Sequence, residues 1–256
     1  MHIQQSRRLV WVVLGIASCV RVMLVQALEL GPNQEAINLL REASQLVNQI
    51  PEQQRISAAA NIAGQLTAAG DFSSALAMAH SLTRSEDRGS ALDSIAYSLD
   101  SQGRREEALQ LLSEVSSEQA ATTYSILAKS HADKKDFGVA LQLAHRIQDQ
   151  PSRRVEALLA IAKPQWEADK RDDAMSTMQE ALEVAGQARE KDPQMSILLL
   201  GIARAQKEMG MSSESQATLT DYSQFVRQRK DDGSLSCLAV TLADMGDIRG
   251  ALEIIE

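Results

Sequence analysis

Aromatic side chains are scarce in this chain: they make up 3% of its 256 residues, although 44% of the residues are hydrophobic. A core of alanine and aliphatic side chains suits helices that approach each other closely. The alternating β-branched and aromatic runs that are typical of strands are missing, and so are the dipeptides that form tight hairpins. The composition therefore predicts an all-α protein.

Basic residues are also in deficit, with 26 Lys and Arg against 34 Asp and Glu and a net charge of -8. Proteins that bind nucleic acid present basic surfaces, so this balance argues against nucleic acid as a general ligand. Removal of residues 1–27 would make the remainder more acidic, because that segment holds three arginines.

Cysteine is limited to Cys19, in an apolar leader, and Cys237. If the leader is removed, the single remaining thiol cannot form an internal disulfide. Cys237 precedes Leu238 in a helix that we expect to face the core, so we predict that it is a small buried hydrophobe.

The leader, residues 1–27, has the pattern of an export signal. Arg7 and Arg8 precede an uncharged apolar run, and Val25-Gln26-Ala27 has small or apolar residues at the spacing that an export peptidase accepts. We therefore favour a cleaved signal peptide, which predicts an exported protein, periplasmic or secreted.

Two alternatives for the leader stay open. Ile16-Ala17-Ser18-Cys19 resembles the bacterial lipobox, which would make Cys19 a lipidation site and the protein a lipoprotein. Residues 9–28 are also long enough for a membrane anchor, if a bilayer tolerates Arg21 in that segment.

One pattern recurs six times, each time around a residue that we call the anchor. Eight residues before every anchor stands a large aliphatic residue, seven before it always alanine, and five after it a small residue. The spacings between anchors run from 32 to 41 residues. The anchors are Gly70, Gly103, Lys135, Asp169, Gly210 and Gly246.

The repeated pattern predicts a helical hairpin at each anchor. Apolar residues recur at helical spacing on both sides, and glycine at an anchor can adopt the left-handed conformation that ends the first helix. The two small residues, one per helix, let the backbones approach closely. Because a single hairpin cannot bury its own apolar face, the hairpins must stack.

A period near 34 residues, a turn glycine and a small residue five positions later resemble the tetratricopeptide repeat. The resemblance covers residues 31–256 and implies a right-handed α-solenoid of stacked helical hairpins, with about six repeats and a partial one at the N-terminus. The family's aromatic residues are missing at the matching positions, so another α-solenoid of paired helices stays open. The predicted domains are the leader at 1–27, the partial repeat at 28–55 and the repeat domain at 56–256.

Three irregularities accompany the pattern. Gly31-Pro32 followed by Ala36 predicts a second helix over residues 33–49, whose partner would lie in the leader. The longest spacing, 41 residues, predicts an extended second helix over residues 175–192 that projects beyond its neighbours. The last repeat stops partway through its second helix, at Glu256, which leaves self-association through an open end as one interpretation.

No catalytic or metal-binding motif is present: the sequence has no HExxH, CxxC, phosphate-binding glycine loop or GxSxG. Of the four histidines, His2, His80, His131 and His145, no two are spaced i, i+4, so we expect satisfied or solvent-facing side chains. The sequence therefore predicts no enzymatic activity and no cofactor or metal.

In tetratricopeptide-like stacks the first helices line a concave face, and the resemblance places positions thirteen, ten, six and three before each anchor on it. Three consecutive repeats have a cation six before the anchor, and the second repeat adds Asp93 and Asp100. Pro164 lies beside this row and is expected to kink its helix. The predicted binding residues are Tyr97, Lys129, Lys163, Trp166, Arg204 and Lys207.

A row of cations in an acidic protein suits carboxylate ligands. The sequence thus predicts an exported, non-enzymatic scaffold that binds a peptide or protein segment, such as an acidic one, on its concave face. The alternative interpretation of the cations is that they keep an exposed helix soluble and bind no ligand. The alternative function is a structural assembly subunit of an envelope complex or a self-associating solenoid. Membrane contact is expected only through the leader, if it is uncleaved or lipidated.

Overall fold

The computed structural model describes residues 19–27, 34–192, 194–229 and 232–255. Every regular element in these ranges is a helix, so the predicted all-α fold is confirmed. Within the same ranges, no helix combines the length and the apolar character needed to cross a bilayer. The predictions for residues 1–18 and for the turn at Gly31 lie outside the described residues.

Residues 19–27 are helical and bury Val20 and Ala27. A short 3₁₀ helix, Val47–Gln49, follows the first helix after residue 33. The described helices from residue 34 onward are α1 (Gln34–Leu46), α2 (Glu52–Ala68), α3 (Phe72–Ser81), α4 (Ser85–Ser101), α5 (Arg105–Leu112), α6 (Ser117–Asp133), α7 (Phe137–His145), α8 (Pro151–Glu167), α9 (Arg171–Ala188), α10 (Met195–Glu208), α11 (Ser212–Arg229), α12 (Asp232–Asp244) and α13 (Ile248–Ile255).

The chain divides into two compact units, residues 1–123 and residues 124–256, and the division falls within α6. In the first unit, α2 packs against its hairpin partner α3 and against α4, the first helix of the next hairpin. In the second unit, α8 packs in the same way against α9 and α10, and α10 against α11 and α12. This consecutive packing confirms the predicted α-solenoid of stacked helical hairpins.

All six anchors have a positive φ angle, and among the described residues no others do. At each one, the anchor N–H donates to the carbonyl three residues earlier, and the next N–H donates to the carbonyl four before the anchor; Gly70 to Thr67 (3.0 Å) and Asp71 to Leu66 (2.8 Å) are one pair. This is the Schellman arrangement, which satisfies carbonyls at the end of the first helix. Lys135 and Asp169 adopt the same left-handed conformation without being glycine.

The small residues at each helix crossing are buried, as the pattern predicts. The six alanines seven before the anchors are 0 to 4% exposed. At the position five after the anchor, the fifth repeat has Ser215 instead of alanine, and its hydroxyl donates to the carbonyl of Ala203 across the hairpin at 2.7 Å. The hydroxyl is thereby satisfied in a place too crowded for a larger side chain.

Ion pairs join consecutive hairpins within each unit. In the first unit, Arg55 contacts Asp87 at 2.5 Å, and the Asp87 side chain is 1% exposed. Removal of one partner from a buried pair costs about 3 to 5 kcal/mol, because the other charge is left uncompensated. His80 and His145, which hold the same place in their repeats, contact Glu114 at 3.2 Å and Glu180 at 3.0 Å.

The prediction of one extended, projecting second helix is only partly right. At 18 residues α9 is longer than α3, α5 and α7, but α11 also has 18 residues. The end of α9 does not project freely, because Arg189 pairs with Asp221 of α11 at 2.6 Å and lies over the Phe225 ring. Each long helix thus has a long neighbour to pack on.

Candidate functional site

The first helices of the second unit, α8, α10 and α12, expose some of the positions that the sequence assigned to a binding face, although Leu200, ten before its anchor, is buried. Ile197 and Val240, which stand thirteen and six before their anchors, are 67% and 61% exposed. Between α10 and α12 lies a groove of about 480 Å³, and Leu200, Arg204 and Cys237 also line it. Isoleucine, leucine and valine make most of this groove apolar.

Cys237 corrects one prediction, because it is exposed on this groove and not buried in the core. It stands one position before Leu238, which is fully buried. Adjacent residues of a helix point about 100° apart, so a core position does not bury its neighbour.

Most of the predicted binding cations have partners within the protein. Arg204 pairs with Asp244 at 3.0 Å, and Lys163 lies 3.9 Å from Glu208. Lys207 donates to the carbonyl of Met245. Lys129 is exposed and, within the part of the chain that the structure describes, has no ion-pair partner.

These contacts have a structural reason. Glu208 and Asp244 are the last residues of α10 and α12. A carboxylate at the negative end of a helix dipole is unfavourable by about 0.3 to 1 kcal/mol, and a cation from the preceding first helix offsets this cost. The contacts are exposed, so each contributes at most about 1 kcal/mol to stability.

The two predicted aromatic contacts differ in accessibility. Tyr97, in the first unit, is 44% exposed. Trp166, in the second unit, is half-buried, and the Arg171 guanidinium lies 4.8 Å from its ring centroid. Pro164 is in the last turn of α8, and the helix continues through it to Glu167.

Asp93 and Asp100, the two acidic residues that the sequence placed on the concave face of the second repeat, are less accessible than expected. Asp100 is buried and contacts Arg105 at 3.2 Å. Burial raises the pKa of Asp93 above its ordinary value, and a hydrogen bond from Thr123 acts in the opposite direction. Neither carboxylate is fully exposed on an open surface.

The three histidines that the structure describes, His80, His131 and His145, each contact a carboxylate. His131 is buried and contacts Asp136 at 3.2 Å, while His80 and His145 have glutamate partners. Among the described residues, no group of three or more His, Cys, Asp or Glu side chains is arranged to hold a metal ion.

Glu180, in the second unit, contacts basic side chains of two other helices. It contacts His145 at 3.0 Å and Arg154 at 2.6 Å. Partial burial acts to raise the pKa of Glu180, but the hydrogen bonds from His145 and Arg154 and their positive charge outweigh burial, and the pKa lies below its ordinary value. These contacts join α7 and α8 to α9.

No protein-family model matches the chain, and no curated protein is significantly similar to it.

Sequence reasoning missed the acids that pair with two of the three cations in the row, Lys163 and Arg204. An acidic residue stands two before the anchor in the last four repeats, namely Asp133, Glu167, Glu208 and Asp244. This signal is as regular as the cations themselves. It would have predicted pairing between neighbouring first helices.

Proposed function

We propose that this chain is a non-enzymatic, tetratricopeptide-like scaffold that binds a protein segment on the face formed by the first helices of its second unit. The observation that carries the proposal is the open apolar groove between α10 and α12, with Ile197 and Val240 exposed on it. Exposed apolar surface in a concave site is typical of protein or ligand contacts. The expected location, periplasmic or secreted, rests on the leader.

The groove favours a segment that inserts an apolar side chain. Arg204 lies on the groove wall and Lys207 one turn further along α10, so a carboxylate of the segment would meet positive charge there. Because Arg204 is shared with Asp244, this contribution is expected to be smaller than that of the apolar contact.

Affinity capture tests the proposal with three variants of the chain as bait. Ile197→Glu with Val240→Glu places charge in the groove, and Lys129→Glu with Lys163→Glu and Arg204→Glu reverses the row of cations. Ile126→Glu is the matched control, since Ile126 is 52% exposed and does not line the groove. We expect the same partner on the unmodified and control baits and its loss from the groove variant.

The triple variant decides the character of the ligand. If the triple variant also fails to capture the partner, the bound segment is acidic or ends in a carboxylate. In that case, added salt should weaken capture by the unmodified bait. A partner that all four baits retain would remove the groove and the cations from the proposed function.

A second function, self-association in an assembly, is favoured by α13. Ile248 and Leu252 are 59% and 58% exposed and lie one helical turn apart on the same face. Sedimentation velocity over a range of concentrations tests this alternative. A strictly monomeric protein at the highest concentration would rule it out.

A further inference from the structure

A second groove of the second unit has three methionines in its wall. It lies between the second helices α9 and α11 and encloses about 430 Å³, and Met175, Met178 and Met211 line it. Met175 is 42% exposed, whereas Met178 and Met211 are buried. Methionine side chains are flexible and end in a soft, polarisable thioether.

Met211 departs from the repeat. The residue that follows the anchor is charged in each of the other five repeats, namely Asp71, Arg104, Asp136, Lys170 and Asp247. In two of them it caps the second helix: the Asp71 and Asp247 carboxylates accept hydrogen bonds from the N–H groups of Ser74 and Gly250. Methionine cannot make this contact, which is worth about 1 kcal/mol, so helix formation does not explain Met211.

Met175 also departs from the repeat. Six positions after the anchor, four of the other repeats have leucine, at Leu76, Leu109, Leu141 and Leu252. Met175 and Met178 are spaced i, i+3 on α9, which places them on one face of the helix. Two departures from the pattern and a third methionine therefore meet at the same groove.

We propose that Met175, Met178 and Met211 bind Cu(I) in this groove through their three thioether sulfurs. Soft thioether ligands select Cu(I) over the harder divalent ions, which prefer oxygen ligands. Gln206 Oε1, an oxygen atom of the groove, accepts a hydrogen bond from Thr218 at 2.9 Å and is therefore already engaged within the protein. Glu214 in the first turn of α11 offsets the positive end of that helix dipole, which would otherwise oppose a cation.

This site is independent of the proposed protein binding, because its three methionines lie on α9 and just before α11 and do not line the groove between α10 and α12. Its test starts from the full chain with Cys19→Ser and Cys237→Ser, since both thiols are exposed and would bind Cu(I) themselves. Cu(I) is titrated without oxygen against a chromogenic Cu(I) chelator. We expect one equivalent of Cu(I) to be withheld from the chelator.

A triple variant, Met175→Leu with Met178→Leu and Met211→Leu, should bind Cu(I) at least about tenfold more weakly. Loss of a residue that only supports a metal ligand already costs about 10- to 100-fold in affinity, so loss of the ligands themselves should cost no less. Leucine for methionine nearly conserves volume, so the fold should persist. The matched control is Met78→Leu with Met195→Leu, two buried methionines that do not line this groove. Circular dichroism confirms folding of each variant.

Met175→Leu alone decides the result if the triple variant unfolds, because Met175 is partly exposed and its packing changes little. NMR of methyl-labelled methionine, with Ag(I) as a redox-stable substitute, should show shifts at these three methyl groups. Equal Cu(I) affinity in the parent and in Met175→Leu, or no Cu(I) withheld by the parent, would overturn the proposal.

Discussion

At the residue scale, the turns of the hairpins show which forces hold them. Lys135 and Asp169 have φ angles of 63° and 59°, a conformation that costs a non-glycine residue about 1 to 2 kcal/mol. Both nevertheless form the same pair of Schellman hydrogen bonds as the glycine anchors. Hydrogen bonds and packing of the two helices thus outweigh the cost of the side chain.

Two glycines should respond oppositely to alanine. Gly70→Ala should lower the free energy of unfolding by about 1 to 2 kcal/mol, because Gly70 has a φ of 87°. Gly138→Ala should raise it by about 0.5 to 1 kcal/mol, because Gly138 lies inside α7 and an added Cβ meets nothing within 4 Å. Urea denaturation measures both, and two changes of the same sign would contradict this account.

Ala128, at a helix crossing, is 0% exposed. Ala128→Leu should overpack this crossing and destabilise the protein by about 1 to 3 kcal/mol. Ala77→Leu is the control, since Ala77 is exposed on α3 and its change should stay within about 0.5 kcal/mol. Thermal unfolding of the two variants gives the comparison, and an unchanged midpoint for Ala128→Leu would show that the crossing has spare room.

At the scale of the element, two hairpins of the second unit solve the same polar problem differently. Gln165 and Gln206 stand four before their anchors, and each is 1% exposed. Gln206 Oε1 accepts a hydrogen bond from Thr218 of the partner helix at 2.9 Å. Among the described residues, neither side-chain polar atom of Gln165 has a partner, although Thr177 holds the place of Thr218.

Valine substitutions at the two threonines should change the stability of the protein by different amounts. Thr218→Val leaves Gln206 Oε1 without its donor and should cost about 1 to 3 kcal/mol. Thr177→Val removes no hydrogen bond to any of the described residues and should change the stability by less than about 0.5 kcal/mol. Urea denaturation curves of the two variants test this difference, and an equal loss in both would mean that Thr177 also serves Gln165.

The elements were largely predictable from the sequence, whereas the site was not. The six hairpins follow from local patterns, because each anchor and its small residues act within about twenty positions of one another. The pairing of Arg204 with Asp244 spans two first helices, so a search within single repeats missed it. The exposure of Cys237 likewise depends on which face of α12 the neighbouring helix leaves open.

At the scale of the whole molecule, contacts between consecutive hairpins recur at similar sequence separations. Arg41 with Asp71, Arg55 with Asp87 and His80 with Glu114 follow one another along the first unit. In the second unit, Glu180 joins α7 and α8 to α9. Burial acts to raise the pKa of Asp71 and of Glu180, but their hydrogen bonds outweigh burial and both pKa values lie below the ordinary ones, so acid should weaken these two contacts.

Stability should fall in acid partly through Glu180. Its folded pKa is lowered, so its contribution is present above the unfolded pKa of about 4.3 and is lost as the pH falls through the folded value. Glu180→Gln should therefore destabilise the protein at neutral pH, and the difference from the unmodified protein should vanish in stronger acid. Denaturant midpoints measured across this range test it, and a difference independent of pH would contradict it.

The scarcity of aromatic residues has a practical consequence for optical measurements. Trp166 is the one tryptophan of the described residues, and it lies beside the turn between α8 and α9 under the Arg171 side chain. Tryptophan emission from this part of the chain reports a single hairpin, whereas far-ultraviolet circular dichroism reports all of them. Since repeats are stabilised by their nearest neighbours, a separation of the two melting curves would measure how far unfolding proceeds one hairpin at a time.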